Sequence, residues 1–285
     1  MNSGEEFMPE MVAALANDGL NMAADENKLY IRCKRDIYIY NRTDMSEAAH
    51  SIIFKKDGKA RGISVFGDFI YLTDFCDLYI LNKNDLQVLE VYRIGNDLSS
   101  DLGAVRFDAS NAYIGIRNGK IAVLNLLTHD LQIHSLCDSS FWDFCVVKNR
   151  IYAGTVGGEL LEINTEKMLV LRKVSLGRKN IYSVLQCGQF LYTVSQDMSI
   201  TAIDINTLEV TFQAKKAVRG MAKILGCYEE SLIVADSNKV SFWQINTLQH
   251  QKTIGFPTGR YNKGALLWEN KLVGSNFSGI YQLAL

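Results

Sequence analysis

Proline is nearly absent: Pro9 and Pro257 are the only two in 285 residues, and no proline-rich or low-complexity stretch interrupts the chain. Without such a linker, residues 1–285 are expected to form a single domain. Long apolar runs are missing too. No segment approaches the roughly 18 apolar residues of a membrane-spanning helix, so no membrane span is expected. Charge of one sign is lacking: the formal net charge is -1, and basic residues come as scattered pairs such as Lys55-Lys56, Arg172-Lys173 and Lys215-Lys216. That pattern offers no footprint for a phosphate backbone and argues against nucleic acid as a partner. The opening MNSGEEFMPEMVAALANDG is acidic and lacks the basic start and apolar run of a secretory leader. The six cysteines, Cys33, Cys76, Cys137, Cys145, Cys187 and Cys227, form no C-x-x-C pair. They are read as thiols in a reducing, cytoplasmic setting, with Cys187 and Cys227, forty residues apart, as one repeated buried position.

Catalytic signatures are equally scarce. None of His50, His129, His134 and His250 falls in an H-x-x-H or H-E-x-x-H pattern, and G-x-S-x-G, Walker and G-x-G-x-x-G motifs are absent. His129, His134, Asp130 and Cys137 can be drawn as a metal cluster, but they lie on a turn and an alternating strand, which places them on an exposed face. No catalytic residue, metal site or cofactor is therefore assigned, and the chain is not expected to be an enzyme.

What the chain does contain is a repeat. KLYI (28–31), FIYL (69–72), AYIG (112–115), RIYA (150–153), FLYT (190–193), SLIV (231–234) and KLVG (271–274) recur at a period near forty. Each is followed by a second alternating stretch: DIYIYN (36–41), DLYILN (77–82), KIAVLN (120–125), ELLEIN (159–164), SITAID (199–204), KVSFWQ (239–244) and GIYQLAL (279–285). Turn residues such as Asn118-Gly119 and Gly157-Gly158 join the two, so each pair reads as a hairpin. A small apolar strand precedes it: GISVF (62–66), AVRF (104–107), DFCVV (143–147), YSVLQ (182–186), MAKIL (221–225) and GALLW (264–268), with a first one near Leu20. In the first six units a more polar strand follows, beginning with SIIFKK (51–56) and ending with HQKTIGF (250–256). Four strands per forty residues, seven times, predict an all-β, seven-bladed β-propeller of four-stranded antiparallel blades. The seventh unit stops one strand short. Glu10–Ala14, within the first 19 residues, can supply that strand and close the ring through the last blade. The competing reading is a short helix, with Ser3-Gly4-Glu5-Glu6 as a capping box before MVAALA, against which Pro9 stands.

The best unit, TVSQDMSITAIDINTLE (193–209), resembles a WD repeat. Asp197 falls on that family's turn aspartate and Ile203-Asp204 on its Trp-Asp pair. The next unit keeps Trp243 followed by Gln244, and Asn41, Asn82, Asn125 and Asn164 occupy the polar position elsewhere. The family's Gly-His dipeptide is missing from every unit, so its His-Asp tether is absent. The duplicated INTL of 205–208 and 245–248 then reads as turn chemistry between third and fourth strands, with Leu208 and Leu248 beginning the outer strand.

The resemblance implies a scaffold that binds partners. Nine residues before the aligned apolar residue of each second strand, with an insertion allowed at Tyr228-Glu229-Glu230, stand Leu20, Arg61, Gly103, Trp142, Tyr182, Arg219 and Lys263. Five of the seven are types enriched in interface hot spots, and Phe141 and Tyr261 lie beside two of them. Arg61, Phe141, Trp142, Tyr182, Arg219, Tyr261 and Lys263 are thus the candidate partner-binding residues, for a peptide or protein that is acidic or phosphorylated. The alternative at this position is that the aromatics pack between blades and the bases are merely solvated. Two other functions share the architecture. Quinone-dependent or lactonase-like propellers need acid clusters in the channel, where Asp143 is the main carboxylate. Phosphoinositide-binding propellers carry a Phe/Leu-Arg-Arg-Gly motif, which Ala217-Val218-Arg219-Gly220 matches without its first arginine.

Overall fold

Strands of this chain are short because polar turns interrupt the apolar alternation every five or six residues, and each sheet is completed by four of them. The computed structural model describes residues 9–14, 21–54, 60–95, 102–177, 179–258, 264–276 and 279–285, with backbone alone at 60 and 61. Strand β1 (Glu10–Ala14) comes first. Blade 1 follows as β2 (Asn21–Ala24), β3 (Lys28–Arg32), β4 (Asp36–Asn41) and β5 (Glu47–Ile52), and blade 2 as β6 (Ala60–Phe66), β7 (Phe69–Asp74), β8 (Asp77–Asn82) and β9 (Val88–Arg93). Blade 3 contains β10 (Leu102–Phe107), β11 (Asn111–Ile116), β12 (Lys120–Asn125) and β13 (Leu131–Ser135). Blade 4 contains β14 (Phe141–Val147), β15 (Arg150–Thr155), β16 (Glu159–Asn164) and β17 (Leu169–Ser175). Blade 5 is made of β18 (Ile181–Cys187), β19 (Phe190–Ser195), β20 (Ile200–Asp204) and β21 (Val210–Ala214). Blade 6 is made of β22 (Lys223–Tyr228), β23 (Ser231–Asp236), β24 (Lys239–Gln244) and β25 (His250–Gly255). Blade 7 has β26 (Ala265–Trp268), β27 (Lys271–Ser275) and β28 (Gly279–Ala284), and its fourth strand is β1, paired antiparallel with β28 from Glu10↔Gln282 to Ala14↔Gly279. The expected seven-bladed ring, closed by the N-terminal strand, is the observed one. The helix alternative fails at Glu10–Ala14, and the capping-box residues 3–6 lie outside the described ones.

The apolar core lies between blades. Each strand sends alternate side chains to opposite faces, so Leu191 and Ile203 pack toward blade 4 while Tyr192, Val194, Ile200 and Ala202 pack toward blade 6. Seven such clusters fill the seven interfaces, each drawn from two neighbouring blades. A tyrosine recurs in the second strand of five blades, at Tyr30, Tyr71, Tyr113, Tyr152 and Tyr192, always buried. Its hydroxyl, when deeply placed, needs an acceptor: Tyr30 donates to Asp25 at 2.8 Å, Tyr113 to Asp108 at 2.6 Å and Tyr192 to the Ile245 carbonyl at 2.7 Å.

Two strand positions differ from expectation. The outer strand of blade 1 is EAAHSI at Glu47–Ile52, not SIIFKK. Ile53 and Phe54 turn inward instead, both amides bonding the Arg35 carbonyl, and Phe54 plugs the gap between blades 1 and 2. The inner strand of blade 6 starts at Lys223, two residues later than MAKIL implies.

The INTL turns hold an unexpected backbone state. Leu208 and Leu248 do not begin the outer strands. They sit in left-handed conformation, at φ 61° and 53°, as do Met45, Leu86, His129 and Met168 at the same corner of blades 1 to 4. Their amides close the turn onto the residue four back, as in Leu208 N to Asp204 O at 2.8 Å, and the side chains of Leu208 and Leu248 are buried beneath it. Asp204 caps the turn, accepting from the amides of Asn206 and Thr207, while Thr207 accepts from Glu209. Those hydrogen bonds hold the Asp204 carboxyl below its usual range.

The cysteine reading also needs correction. Cys187 and Cys227 are not equivalent positions: Cys187 pairs with Phe190 but Cys227 with Leu232, one register step away. Both are half-buried, and they form a disulfide between the inner strands of blades 5 and 6, with Cα atoms 6.6 Å apart. Cys33, Cys76 and Cys145 are buried thiols and Cys137 a half-buried one.

Two outcomes follow. Alkylating the unreduced, denatured protein should add four groups by mass spectrometry, and six after reduction. Leu208→Ile should lower unfolding free energy by roughly 1–2 kcal/mol, because a β-branched side chain resists positive φ. Leu208→Met should cost less than about 1.5 kcal/mol, since methionine already fills that corner in blades 1 and 4; urea denaturation measures both.

Candidate functional site

Inner strands of a propeller converge on its axis, so whatever stands at their entrances faces one channel. The channel here encloses about 570 Å³ and is lined from β2, β6, β10, β14, β18 and β22, together with the hairpin turns at Arg117, Asn118 and Val156. Antiparallel pairing puts those turns and the inner-strand entrances on the same side of the disc, as the register Phe141↔Thr155 requires.

The candidate position proves to be a β-bulge in four blades. Between Ala60↔Asp74 and Gly62↔Thr73 the register skips Arg61; it skips Trp142 between Phe141 and Asp143, and Tyr182 between Ile181 and Ser183. In blade 3 the shift spans Gly103 and Ala104. A bulged residue has no partner across the ladder and its side chain is re-aimed; in blades 4 and 5 the residues so placed line the channel. Trp142 and Tyr182 both line the channel and meet edge to face with ring centroids 5.7 Å apart. Burial raises the Tyr182 phenol above its ordinary range, so it stays protonated. Phe141 reaches the cavity wall, yet its ring also belongs to the core between blades 3 and 4 with Tyr113 and Phe144, the packing role named as the alternative.

Blade 6 departs from the expectation. Arg219 is exposed on the loop before β22, its amide donating to Asp236 at 2.7 Å, and it is not among the channel-lining residues. No insertion exists at Tyr228-Glu229-Glu230, because β22 and β23 join through a two-residue turn as β18 and β19 do. The nine-residue count made without an insertion falls on Lys223, which lines the channel. Val218, where the phosphoinositide motif has its first arginine, is a core residue between blades 5 and 6. The Arg61 side chain, Leu20, Tyr261 and Lys263 lie outside the described residues.

Polar contacts then carry the channel wall from blade to blade. Arg32, fully buried, donates to the Gly62 and Thr73 carbonyls and pairs with Asp74 at 3.3 Å. Burial lowers its guanidinium to about 10 against the pull of Asp74, so it remains charged at neutral pH. Ser64 donates to Val105 O and Thr73 to Gly103 O, each at 3.0 Å. Arg106 reaches Asp143 at 2.7 Å, and Asp143 also accepts from the Ser183 hydroxyl at 3.0 Å and the Val184 amide at 3.3 Å. Ser183 in turn accepts from the Ile224 amide, Lys223 donates to Ala265 O at 3.2 Å, and Trp268 donates to Asp25 O at 2.8 Å, which returns the circuit to blade 1. The sequence marked Asp143 as the channel carboxylate but not Arg106, Ser183 or Lys223; Arg106 stands two register positions further along its inner strand than Asp143 does on the next, so the repeat alignment does not pair them.

Among the described residues no group of three or more His, Cys, Asp or Glu gathers closely enough to hold a metal ion. His129 instead pairs with Glu90 at 2.7 Å. Burial, followed by the Asp143 charge, pushes the Cys145 thiol up to about 12, which leaves it a poor nucleophile.

No family model matches the sequence, and no curated protein matches it. Solved structures do. One in the crystal structure of the mitotic checkpoint complex superposes with a TM-score of 0.82 at 12% identity, covering 100% of this chain and 95% of that one. The computationally designed Ika8 protein superposes with a TM-score of 0.73 at 10% identity, covering 98% and 100%. At such identities the likeness establishes the propeller fold.

Asp143→Ala should lower stability by roughly 2–3 kcal/mol, since it strands a guanidinium, a hydroxyl and an amide at once. Arg106→Ala, which removes the more exposed partner and leaves Asp143 the Ser183 hydroxyl and the Val184 amide, should cost less; guanidinium denaturation of both variants tests the order.

Proposed function

We propose that this chain is a degenerate WD-repeat-like propeller that works as a non-catalytic interaction platform in the cytoplasm, holding a peptide or protein segment at the channel mouth. The observation that carries this reading is the bulge. Trp142 and Tyr182, two large aromatics, stand at backbone irregularities and line an open cavity, Tyr182 also packing against the core between blades 5 and 6. Aromatic anchors on a rigid rim are how interfaces concentrate binding energy. Arg61, Tyr261 and Lys263, read at the same strand entrances, and Phe141 in the wall belong to the proposed surface, with Lys223 added; Arg219 lies on the loop beside it. A neighbour of this fold stands in a multiprotein checkpoint assembly, which supports the same class of role here.

A catalytic reading is disfavoured because the channel carboxylate, Asp143, is engaged by Arg106, Ser183 and Val184. The four cysteines outside the disulfide, Cys33, Cys76, Cys137 and Cys145, favour a reducing compartment, in which the Cys187–Cys227 bond would be open.

Trp142→Ala combined with Tyr182→Ala and Lys223→Ala should leave the circular dichroism spectrum intact and abolish co-purification of the main partner from native cells. Arg219→Ala alone should weaken it by less than about threefold, the effect of a rim contact. Retention of the partner by the triple variant would reject the platform, and stoichiometric calcium or turnover in a hydrolase and quinone-oxidoreductase screen would replace it with an enzyme.

A further inference from the structure

The chain leaves each outer strand on the mouth side of the disc and enters the next inner strand on that same side. The pairings Glu159↔Ser175, Ile200↔Ala214 and Lys239↔Gly255 set the ends of β17, β21 and β25 beside the hairpin turns of the mouth face. The charges of the connections between blades are segregated around the ring. LGRKN (176–180), KKAVRGMA (215–222) and FPTGRYNKG (256–264), which follow blades 4, 5 and 6, hold seven Lys or Arg and no Asp or Glu. LANDGL (15–20), IGNDLSSD (94–101) and LCDSS (136–140), which lead into blades 1, 3 and 4, hold four Asp and no Lys or Arg. IFKKDGK (53–59) mixes the two signs. Three successive connections are thus basic, and the acid lies across the ring from them.

Lys179, Lys215, Lys216 and Arg219 are exposed, and Lys239 joins them from the turn between β23 and β24. Among the described residues none of the five forms an ion pair. The carboxylates of the neighbouring hairpin turns are otherwise engaged. Asp197 accepts from the Ser195 and Ser199 hydroxyls and the Ser199 amide, and Asp236 accepts from the Arg219 amide at 2.7 Å. Glu159 is matched by Lys173 at 3.2 Å. The backbone that presents the central cations is anchored: the Ala217 amide bonds Met198 O at 2.8 Å, and Val218 is buried between blades 5 and 6. Lys215, Lys216 and Arg219 therefore project from a fixed support, which lowers the ordering cost of binding. By sequence, the rest of the three connections adds Arg178, Arg260 and Lys263 and no acid to offset them.

Cations dispersed over three connections complement anions dispersed along a chain. A single phosphate is held by donors that converge on one point, an arrangement unlike this spread. A membrane would meet the whole face, pressing the exposed Asp138 against its own negative surface. Single-stranded nucleic acid stacks on aromatics set among the bases, and LGRKN and KKAVRGMA contain none. We infer that the connections after blades 4, 5 and 6 form a docking arc for an acidic protein segment, whose aspartates and glutamates lie over the arc while its neighbouring residues reach Tyr182, just beyond LGRKN. This rests on the platform reading and names the partner's chemistry.

The test is selection from a random dodecapeptide display library on the full chain, followed by binding kinetics of the recovered peptide. Peptides with several Asp or Glu are expected. Lys215→Gln, Lys216→Asn and Arg219→Gln combined should weaken binding roughly tenfold in about 0.1 M salt, chiefly by slowing association, and have little effect near 1 M, where the Debye length is about 3 Å. Asparagine suits the left-handed backbone of Lys216, at φ 55°. Lys148→Asn, Lys167→Gln and Lys271→Gln remove the same charge from turns and a strand end on the opposite face, and should change affinity by less than about twofold. Recovery of no acidic peptide, equal loss in the two triple variants, or a loss indifferent to salt would overturn the arc. A version with one phosphoserine in place of all its acids that binds as tightly would overturn the carboxylate assignment. Phosphatidylserine vesicles or a thymidine dodecamer bound more tightly than the peptide would overturn the protein partner. The platform fails separately, if the native partner survives the triple alanine variant; loss of the partner there with full retention by the Lys215, Lys216 and Arg219 variant sinks the arc alone.

Discussion

Blade-to-blade contact is the interaction on which everything else depends. A single four-stranded blade has two apolar faces and no way to cover either, so no blade has a core until it has two neighbours. The seven clusters between blades supply that core. Closure through β1 and β28 means that none of the seven is left half-built. The polar circuit around the channel follows the same logic. Each hydroxyl, guanidinium or carboxylate at an inner strand is completed by the next blade, and the geometry of one unit is thereby handed to the following one. Asp143 is the densest node, joining blades 3, 4 and 5 through three donors.

This dependence explains why so much of the fold could be read from the chain. A blade buried on both faces must repeat its apolar pattern, and the repeat of KLYI-like and DIYIYN-like stretches set the strand limits within two residues in almost every case. The exceptions are physical. EAAHSI looks like a poor strand because Glu47, Ala48 and His50 carry little β preference, yet it pairs at the blade's outer edge, where exposure is tolerated. SIIF looks like a good strand, but Phe54 serves the interface instead. Buried leucines at positive φ were also illegible, since asparagine or glycine is the usual sign of that conformation and leucine is not.

At the channel the sequence was legible in kind rather than in detail. Aromatic and basic residues at one repeated position pointed to Trp142 and Tyr182, and the structure brings these two together. Counting alone could not reveal that the position is a bulge, nor that blade 6 places Lys223 there rather than Arg219. Nor could it pair Cys187 with Cys227, since two cysteines at the repeat spacing appear equivalent until a register step sets them facing.

The bulges have a consequence for how such a molecule changes over time. A residue inside a paired strand answers to the ladder, to the blade on one side and to the blade on the other, and little can replace it. Arg61, Trp142 and Tyr182 are released from cross-strand pairing, and the ring already shows varied chemistry at this place: a cation in blade 2, glycine in blade 3, aromatics in blades 4 and 5. Side-chain chemistry at the mouth is thereby loosened from stability in the wall, and a few positions there can change while the ring that presents them stays as it is.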